Sequence, residues 1–392
     1  MIYMNNAATG YPKFPQVIEA VKESLERGVL SSRRASASFE GAAELLFSLR
    51  KKTGAFIHAE APHEICFTSS DTIALNMLMQ GLPMKEGDVL LIDRYAHNSI
   101  ARPAEHLKMR GMKILLVDGD VQSIRAAISR SMREGKKIVG AFLSHASNVT
   151  GDVIDAKGVG EVLHEWGIPF VLDVAQSIGA VPIDVEKFHL SAMAFAGHKL
   201  LNAPQGTGGF YVRKGVELFP IIFGGTGSES MSLSPDVVYP DSFEVGTPAM
   251  HDLAGLSTAF DMIDGIGRQR YAAKLRETAQ YAYDGLSTLP SVIVYGDPIK
   301  KTPVISFNIN GMASREVGEA LAREGIVCRT GIHCAALAMK ELGVLPSFKG
   351  TVRVSFGWYT TERDIEALIR AVRKVAEKAK RHRRGNTKGV LK

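Results

Sequence analysis

Three cysteines in 392 residues, Cys66, Cys328 and Cys334, are too few and too irregularly spaced for a disulfide framework, and no C-x-x-C pair offers a zinc site. A cysteine with a role here has it as a thiol. No apolar run approaches the ~20 residues of a membrane span, and the opening MIYMNNAATGYPKF lacks the basic-then-apolar pattern of a secretory signal. A cytoplasmic location with no membrane partner is therefore expected. Two nucleotide signatures are also missing: no G-x-G-x-x-G follows an apolar run, and no G-x-x-x-x-G-K-[ST] occurs. Their absence argues against a Rossmann dehydrogenase and a P-loop ATPase.

The chain has no net positive charge outside the C-terminus. Residues 371–392 hold nine Lys or Arg against the single Glu377, a local +8, whereas the whole chain carries +6. The preceding 370 residues thus sum to −2, so the basic balance belongs to a tail and says little about chemistry. A solvated tail is the reading preferred, with contact to an acidic partner or RNA as the lesser alternative. Hydrophobic residues at 45% and charged residues at 22% are ordinary for a globular protein.

What the chain has in quantity is short apolar runs alternating with helical patterns. Strands are expected at Glu64–Thr68, Asp88–Asp93, Lys113–Val117, Lys137–Ser144, Pro169–Asp173, Ala192–Ala196 and Gly208–Val212. Most are apolar at consecutive positions, which suits strands buried on both faces. Amphipathic stretches lie between them, with stripes at Val17, Val21 and Leu25 and at Val159, Val162, Leu163 and Trp166. This alternation predicts an α/β fold with a mainly parallel sheet covered by helices, and ligands of such sheets bind at the strands' carboxyl ends.

Past residue 250 the texture changes. A long helical region, Leu253–Leu286, leads to strands at Pro303–Ile309, Gly325–Arg329 and Thr351–Phe356 and a closing helix at Glu362–Lys378. The expected division is a large domain over residues 15–255, a smaller α+β domain from residues 1–14 and 256–376, and a basic tail over 377–392.

Polar residues gather where the expected strands end. Ser69, Ser70, Asp71 and Thr72 open a helix at Ile73–Gln80, whose N-terminus suits either a phosphate or an ordinary cap. Asp173 closes PFVLD and suits a protonated ring nitrogen, a metal or a loop cap. Lys199 follows a buried run, where a depressed pKa would suit Schiff-base chemistry, unless the side chain is simply at the surface. A phosphate site, an aspartate and a lysine in this order match the needs of pyridoxal 5'-phosphate (PLP).

At this point the sequence resembles a known family. NNAAT (Asn5–Thr9), FTSSDTIALN (Phe67–Asn76), HASNVTG (His145–Gly151), DVAQSIG (Asp173–Gly179), AGHK (Ala196–Lys199), PQGTGG (Pro204–Gly209), FEVGTP (Phe243–Pro248), RTGIHC (Arg329–Cys334) and VRVS (Val352–Ser355) are similar to class V aminotransferases, and among them to cysteine desulfurases with a compact catalytic loop. The resemblance runs from about Ile2 to Val372. It implies a fold type I PLP enzyme that converts L-cysteine to L-alanine and places the sulfur on Cys334 as a persulfide. By the same resemblance Lys199 bonds the cofactor, Asp173 pairs with its ring nitrogen, and Asn148 and Gln176 lie near its phenolic oxygen. His97 stacks on the ring and moves protons. Asp71, Thr72 and His198 hold the phosphate with Thr247 of a second subunit, and Arg353 clamps the substrate carboxylate beside Asn148. A homodimer and a sulfur-acceptor protein, as in iron–sulfur cluster assembly, are implied partners.

Several residues depart from the family pattern: Ala96 before the histidine, Ala196 two before the lysine, Asp71 in the phosphate turn, and Asn5 near the start. A carboxylate beside a phosphate is repulsive, so Asp71 is expected to turn its side chain away and to offer its backbone N–H alone. Cys66 and Cys328 are expected to be small buried hydrophobes within strands, and the role of His333 is left open. Two other readings stay in view: a selenocysteine lyase or another class V aminotransferase or β-lyase, and a sulfur-carrier or RNA-associated binding protein with vestigial catalysis.

Overall fold

A computed structural model describes residues 1–27, 41–226, 231, 233, 237–299 and 301–389, the last nine as backbone alone. In chain order the strands are β1 (Ile2–Tyr3), β2 (Ile65–Thr68), β3 (Val89–Asp93), β4 (Lys113–Val117), β5 (Ile138–Ser144), β6 (Phe170–Asp173), β7 (Ala192–Ala196) and β8 (Gly208–Val212). They continue with β9 (Val292–Tyr295), β10 (Val304–Ile309), β11 (Ile326–Val327), β12 (Arg329–Gly331) and β13 (Thr351–Ser355). Seven of them form one sheet in the order β2-β8-β7-β6-β5-β3-β4. Strands β3 to β7 pair in parallel, and β8 runs against both its neighbours. The carboxyl ends of β2, β3, β5, β6 and β7 thus open on one edge, where Gly208 begins β8 opposite both Thr68 and Ala196.

The expected seven strands are all present, each within a residue of its expected bounds. They read clearly because β3, β5, β6, β7 and β8 are buried throughout, leaving no solvent face to interrupt the apolar run. Helices α1 (Pro15–Arg27), α2 (Gly41–Ile57), α3 (Asp71–Gly81), α4 (Asn98–Met109), α5 (Val121–Arg133) and α6 (Ala156–Glu165) accompany this sheet. One apolar cluster joins α1, α2, α5 and α6 to one face, and a second joins α3 and α4 to the other. Two expected stripes are narrower than read: Leu25 on α1 and Trp166 after α6 are exposed, and α1 buries Val17 and Ser24 instead.

The later half departs further from expectation. The long helical region is two helices, α7 (Met250–Ile266) and α8 (Arg268–Ser287), broken at Gly267, whose φ of 93° a side chain would resist. The expected strand Gly325–Arg329 is also two: β11 pairs in parallel with β1, while β12 pairs with β13. Cys328 lies between them, half-buried rather than inside a strand. Strands β12-β13-β10-β9 form an antiparallel sheet. It packs with α8, with α9 (Ser314–Arg323), and with the final helix α12 (Glu362–Gly389) around Phe307, Leu321, Val354 and Leu368. The short helices α10 (Ala336–Glu341) and α11 (Leu345–Phe348) follow Cys334. Helix α12 continues well past Lys378, so the basic tail is helical to Gly389, and residues 390–392 lie outside the described residues.

The two sheets are joined at one turn. The carbonyls of Asn148, Val149, Thr150 and Gly151 accept, in order, from Arg353 Nη1 at 2.8 Å, Ser306 Oγ at 2.7 Å, Lys301 Nζ at 2.9 Å and Thr302 N at 2.8 Å. Gly151 has φ 80°, and a Cβ there would strike the Val304 carbonyl, so only glycine lets the strands approach.

Candidate active site

The carboxyl ends of the large sheet meet the small sheet around a cavity of about 210 Å³. Its lining includes Asp71 and Thr72 from the start of α3, His97 from the start of α4, Asn148 from the joining turn, and Gln176, His198 and Lys199 from loops after β6 and β7. Arg329 and Arg353 enter from the small sheet. Ser70 caps α3 by accepting from Ile73 N at 3.3 Å, which leaves the N–H groups of the first turn facing this edge.

Burial sets the electrostatics. Asp173 closes β6 and accepts from Ala175 N at 2.9 Å; burial raises its carboxyl above the usual range while Lys199 draws it down. Burial likewise lowers the Lys199 amine, against the opposing pull of Asp71 and Asp173, and so favours the unprotonated amine a nucleophile needs. His97 caps α4 through Nδ1, which accepts from Ser99 N at 3.1 Å; burial first and then the Lys199, Arg329 and Arg353 charges bring it down to about 3. His198 is brought down to about 4 by burial and then by Lys199 and Lys13. Both imidazoles are therefore neutral at ordinary pH.

Cys334 stands exposed next to this cavity and lines an adjoining groove with Thr72, His97 and Arg102. His333 and Cys334 both have positive φ, 54° and 56°, which folds the loop back toward α4. There the Cys334 carbonyl accepts from Asn98 N at 2.7 Å, and Arg329 Nη2 donates to Sγ at 3.2 Å. His333, whose role the sequence left open, is buried with Nε2 against Thr351 Oγ1 at 2.9 Å, and its carbonyl accepts from Asn148 Nδ2 at 2.8 Å. It fastens the cysteine loop to β13 and to the joining turn.

Of the residues expected at the site, Asp71, Thr72, His97, Asn148, Gln176, His198, Lys199 and Arg353 line the cavity; Asp173 is buried at the end of β6, where its charge acts on Lys199. Thr247 does not line it and is exposed. Asp71 lines the cavity with only 7% of the residue exposed, so its side chain is enclosed at the site, and its charge acts on Lys199. Arg329 was not singled out. Its signal was its place five residues before Cys334 in RTGIHC, but only the β12–β13 pairing, which sets Arg329 opposite Arg353, brings it to the cavity.

The model of the family described as aminotransferase class V matches residues 2–368. The chain belongs to this family. Among curated class V relatives, a probable cysteine desulfurase of Methanothermobacter thermautotrophicus is 31% identical over 96% of this chain and 94% of its own length. One from Pyrococcus abyssi is 32% identical over 94% and 92%. Among solved structures, the apo cysteine desulfurase of Thermococcus onnurineus NA1 superposes with a TM-score of 0.86 at 29% identity, covering 96% of this chain and 94% of that one. The Escherichia coli cysteine desulfurase CsdA follows with a TM-score of 0.82 at 25% identity and the same coverages.

Members of the family use PLP, and the residues of this class V chain fit it. Asn148 Oδ1, Gln176 Oε1, His198 Nδ1, and Arg353 Nε and Nη2 are buried side-chain atoms without a hydrogen-bond partner, and all belong to residues lining the one cavity. Buried polar atoms are normally paired. Acceptors, donors, a helix N-terminus, a carboxylate and an amine gathered here are the groups that a hydroxylated, phosphorylated pyridine aldehyde requires.

Proposed function

We propose that the chain is a PLP-dependent cysteine desulfurase, taking sulfur from L-cysteine and leaving L-alanine. The observation that carries this reading is the meeting of Lys199 and the partnerless polar atoms in one cavity, with Asp173 close enough for its charge to act on Lys199 and the Cys334 thiol beside the cavity. When bound, the cofactor supplies an electron sink that acidifies the substrate's α-hydrogen and loosens its bond to sulfur.

The chain's own residues divide the remaining work. Asp173 holds a proton on the ring nitrogen, the role of a buried carboxylate that needs a cationic partner. Lys199 would hold the cofactor through its amine, and its unprotonated Nζ is placed to take the substrate's α-proton. Asn148 and Gln176 would hold the cofactor's phenolic oxygen, and His97, neutral, would pack against its ring. Thr72, His198 and the backbone N–H of Asp71 hold the phosphate at the start of α3. Arg353 has two partnerless nitrogens, which suit a two-pronged hold on the substrate carboxylate. The Cys334 thiolate attacks the substrate sulfur: the new S–S bond leaves a persulfide on the protein, and the electron pair of the broken C–S bond stays with the three-carbon fragment, which is protonated to alanine.

The proposed assembly is a homodimer in which Thr247 serves the second subunit's phosphate. Its support is an apolar segment, with Phe219, Ile222, Phe223, Val237 and Val238 exposed on the way to Thr247. The small, hydroxyl-bearing string Gly224–Ser228 lies in the same segment and could also reach a neighbour's phosphate; of it, Gly227 and Ser228 lie outside the described residues. A sulfur-acceptor protein would meet Cys334, which is exposed. The test of function is incubation of the PLP-loaded protein with L-cysteine and reductant. Equal sulfide and alanine are expected, and alanine formation that survives Cys334→Ala would overturn the reading.

A further inference from the structure

Asp71 is the residue whose charge opposes the ligand expected beside it. It begins α3, where the first-turn N–H groups and the helix dipole favour a phosphate. The residue is only 7% exposed, and its Oδ1 is buried with no hydrogen-bond partner. It lines the same cavity as Thr72, His198 and Lys199. The backbone holds it there: a Cβ on Gly208 would come within 2.8 Å of Asp71 N, so β8 already presses on the helix start and leaves it little room to withdraw.

The surroundings favour the neutral acid. Burial raises the Asp71 carboxyl well above the usual range; Asp173, from the end of β6, raises it further, and Lys199, after β7, lowers it. From α4, His97 lines the cavity, while Arg102 and His106 line the adjoining groove with Thr72. His198 follows β7, and Arg329 and Arg353 come from the small sheet. Strands β2 and β8, also packed on α3, bring no Asp, Glu, Lys, Arg or His. A phosphate dianion adds two negative charges to this enclosure. An ionised carboxylate would repel it, whereas a carboxylic acid adds an O–H donor to the helix N–H groups.

We propose that Asp71, as the neutral acid, donates a hydrogen bond to the cofactor's phosphate, so that phosphate binding and protonation of Asp71 occur together. This rests on the PLP reading of the cavity. It makes Asp71 a positioning residue whose side chain, and not only its backbone, takes part.

The experiment is equilibrium dialysis of the full apo chain with 4'-deoxypyridoxine 5'-phosphate, which lacks the aldehyde and so leaves Lys199 unbonded. Wild type, Asp71→Asn and Asp71→Ala are compared from pH 6 to 9. At pH 6 the Asn variant, a neutral donor of the same shape, should bind within about twofold of wild type, and the Ala variant about tenfold more weakly. As pH rises, wild type should weaken relative to Asn, toward a tenfold loss per pH unit once Asp71 ionises in the unliganded chain. Unphosphorylated pyridoxine should not distinguish the three proteins. Equal binding of the phosphorylated analogue by Ala and wild type at pH 6, or parallel pH curves for wild type and Asn, would overturn the role of Asp71 while the PLP reading stands. Absence of binding by all three would overturn both.

Discussion

Arg329 Nη2 donates to Cys334 Sγ at 3.2 Å, although strand pairing sets the same Arg329 directly opposite Arg353. Like charges facing across a strand pair are unfavourable. Burial, and then the Arg329 charge, bring Arg353 down to about 9. One guanidinium is thus committed to sulfur, and the other keeps two nitrogens for a ligand.

Arg329→Ala should lower sulfide release from cysteine by about one to two orders of magnitude, because negative charge on the attacking sulfur loses its donor. Arg329→Lys should recover part of this. Parallel assays of sulfide and alanine check it, and unchanged rates in the Ala variant would separate Arg329 from the chemistry.

Cys334→Ser should retain the visible absorbance of the bound cofactor and still exchange the substrate α-proton, which needs Lys199 and Asp173 alone. It should release no sulfide from cysteine, since a hydroxyl is a poor nucleophile toward sulfur. In the wild type, mass spectrometry after cysteine without reductant should find one added sulfur on the peptide holding Cys334. Cys66, buried in β2, and Cys328, half-buried, should carry none.

Arg353→Lys preserves charge but offers no planar fork, so KM for cysteine should rise about tenfold with a smaller change in kcat. A kcat loss at constant KM would instead trace to the donation from Arg353 to the Asn148 carbonyl.

Asp93 gives a pH signature. Burial lifts its carboxyl to about 7, against the pull of the N–H groups of Ser144 and Tyr95. A folded pKa above the unfolded value of about 3.9 means that the stability this proton contributes is complete at low pH and is lost as pH rises through 7. Asp93→Asn can still accept from Ser144 N and never ionises. Its melting temperature relative to wild type should therefore climb between pH 4 and pH 7 and then level off; a difference independent of pH would refute the assignment.

The strands of the large sheet were legible because burial on both faces writes itself as uninterrupted apolar sequence. The residues at their ends were legible because AGHK and DVAQSIG follow such runs directly. Legibility failed where long-range geometry decides. No local pattern divides Gly325–Arg329 between two sheets, because the division depends on β1, more than 300 residues earlier, pairing with β11. Arg329 stayed unnoticed for the same reason. Enclosure of the Asp71 side chain gave no local signal either, because it depends on β8 pressing on the start of α3. Leu25 and Trp166 fit helical stripes, yet they lie beyond the width that their neighbours cover.

The joining turn bears on how this chain could be recombined with a relative. Its four acceptors are main-chain carbonyls, which no substitution of Asn148, Val149 or Thr150 deletes, while three of the four donors are side chains: Lys301, Ser306 and Arg353. The specification is therefore lopsided: on the large-sheet side these bonds require only that residue 151 be glycine, whereas on the other side three donors are coded by side chains. A hybrid that takes its segment beyond Tyr295 from another family member should assemble only when that segment brings these three donors in register and keeps the apolar residues that pack against α8.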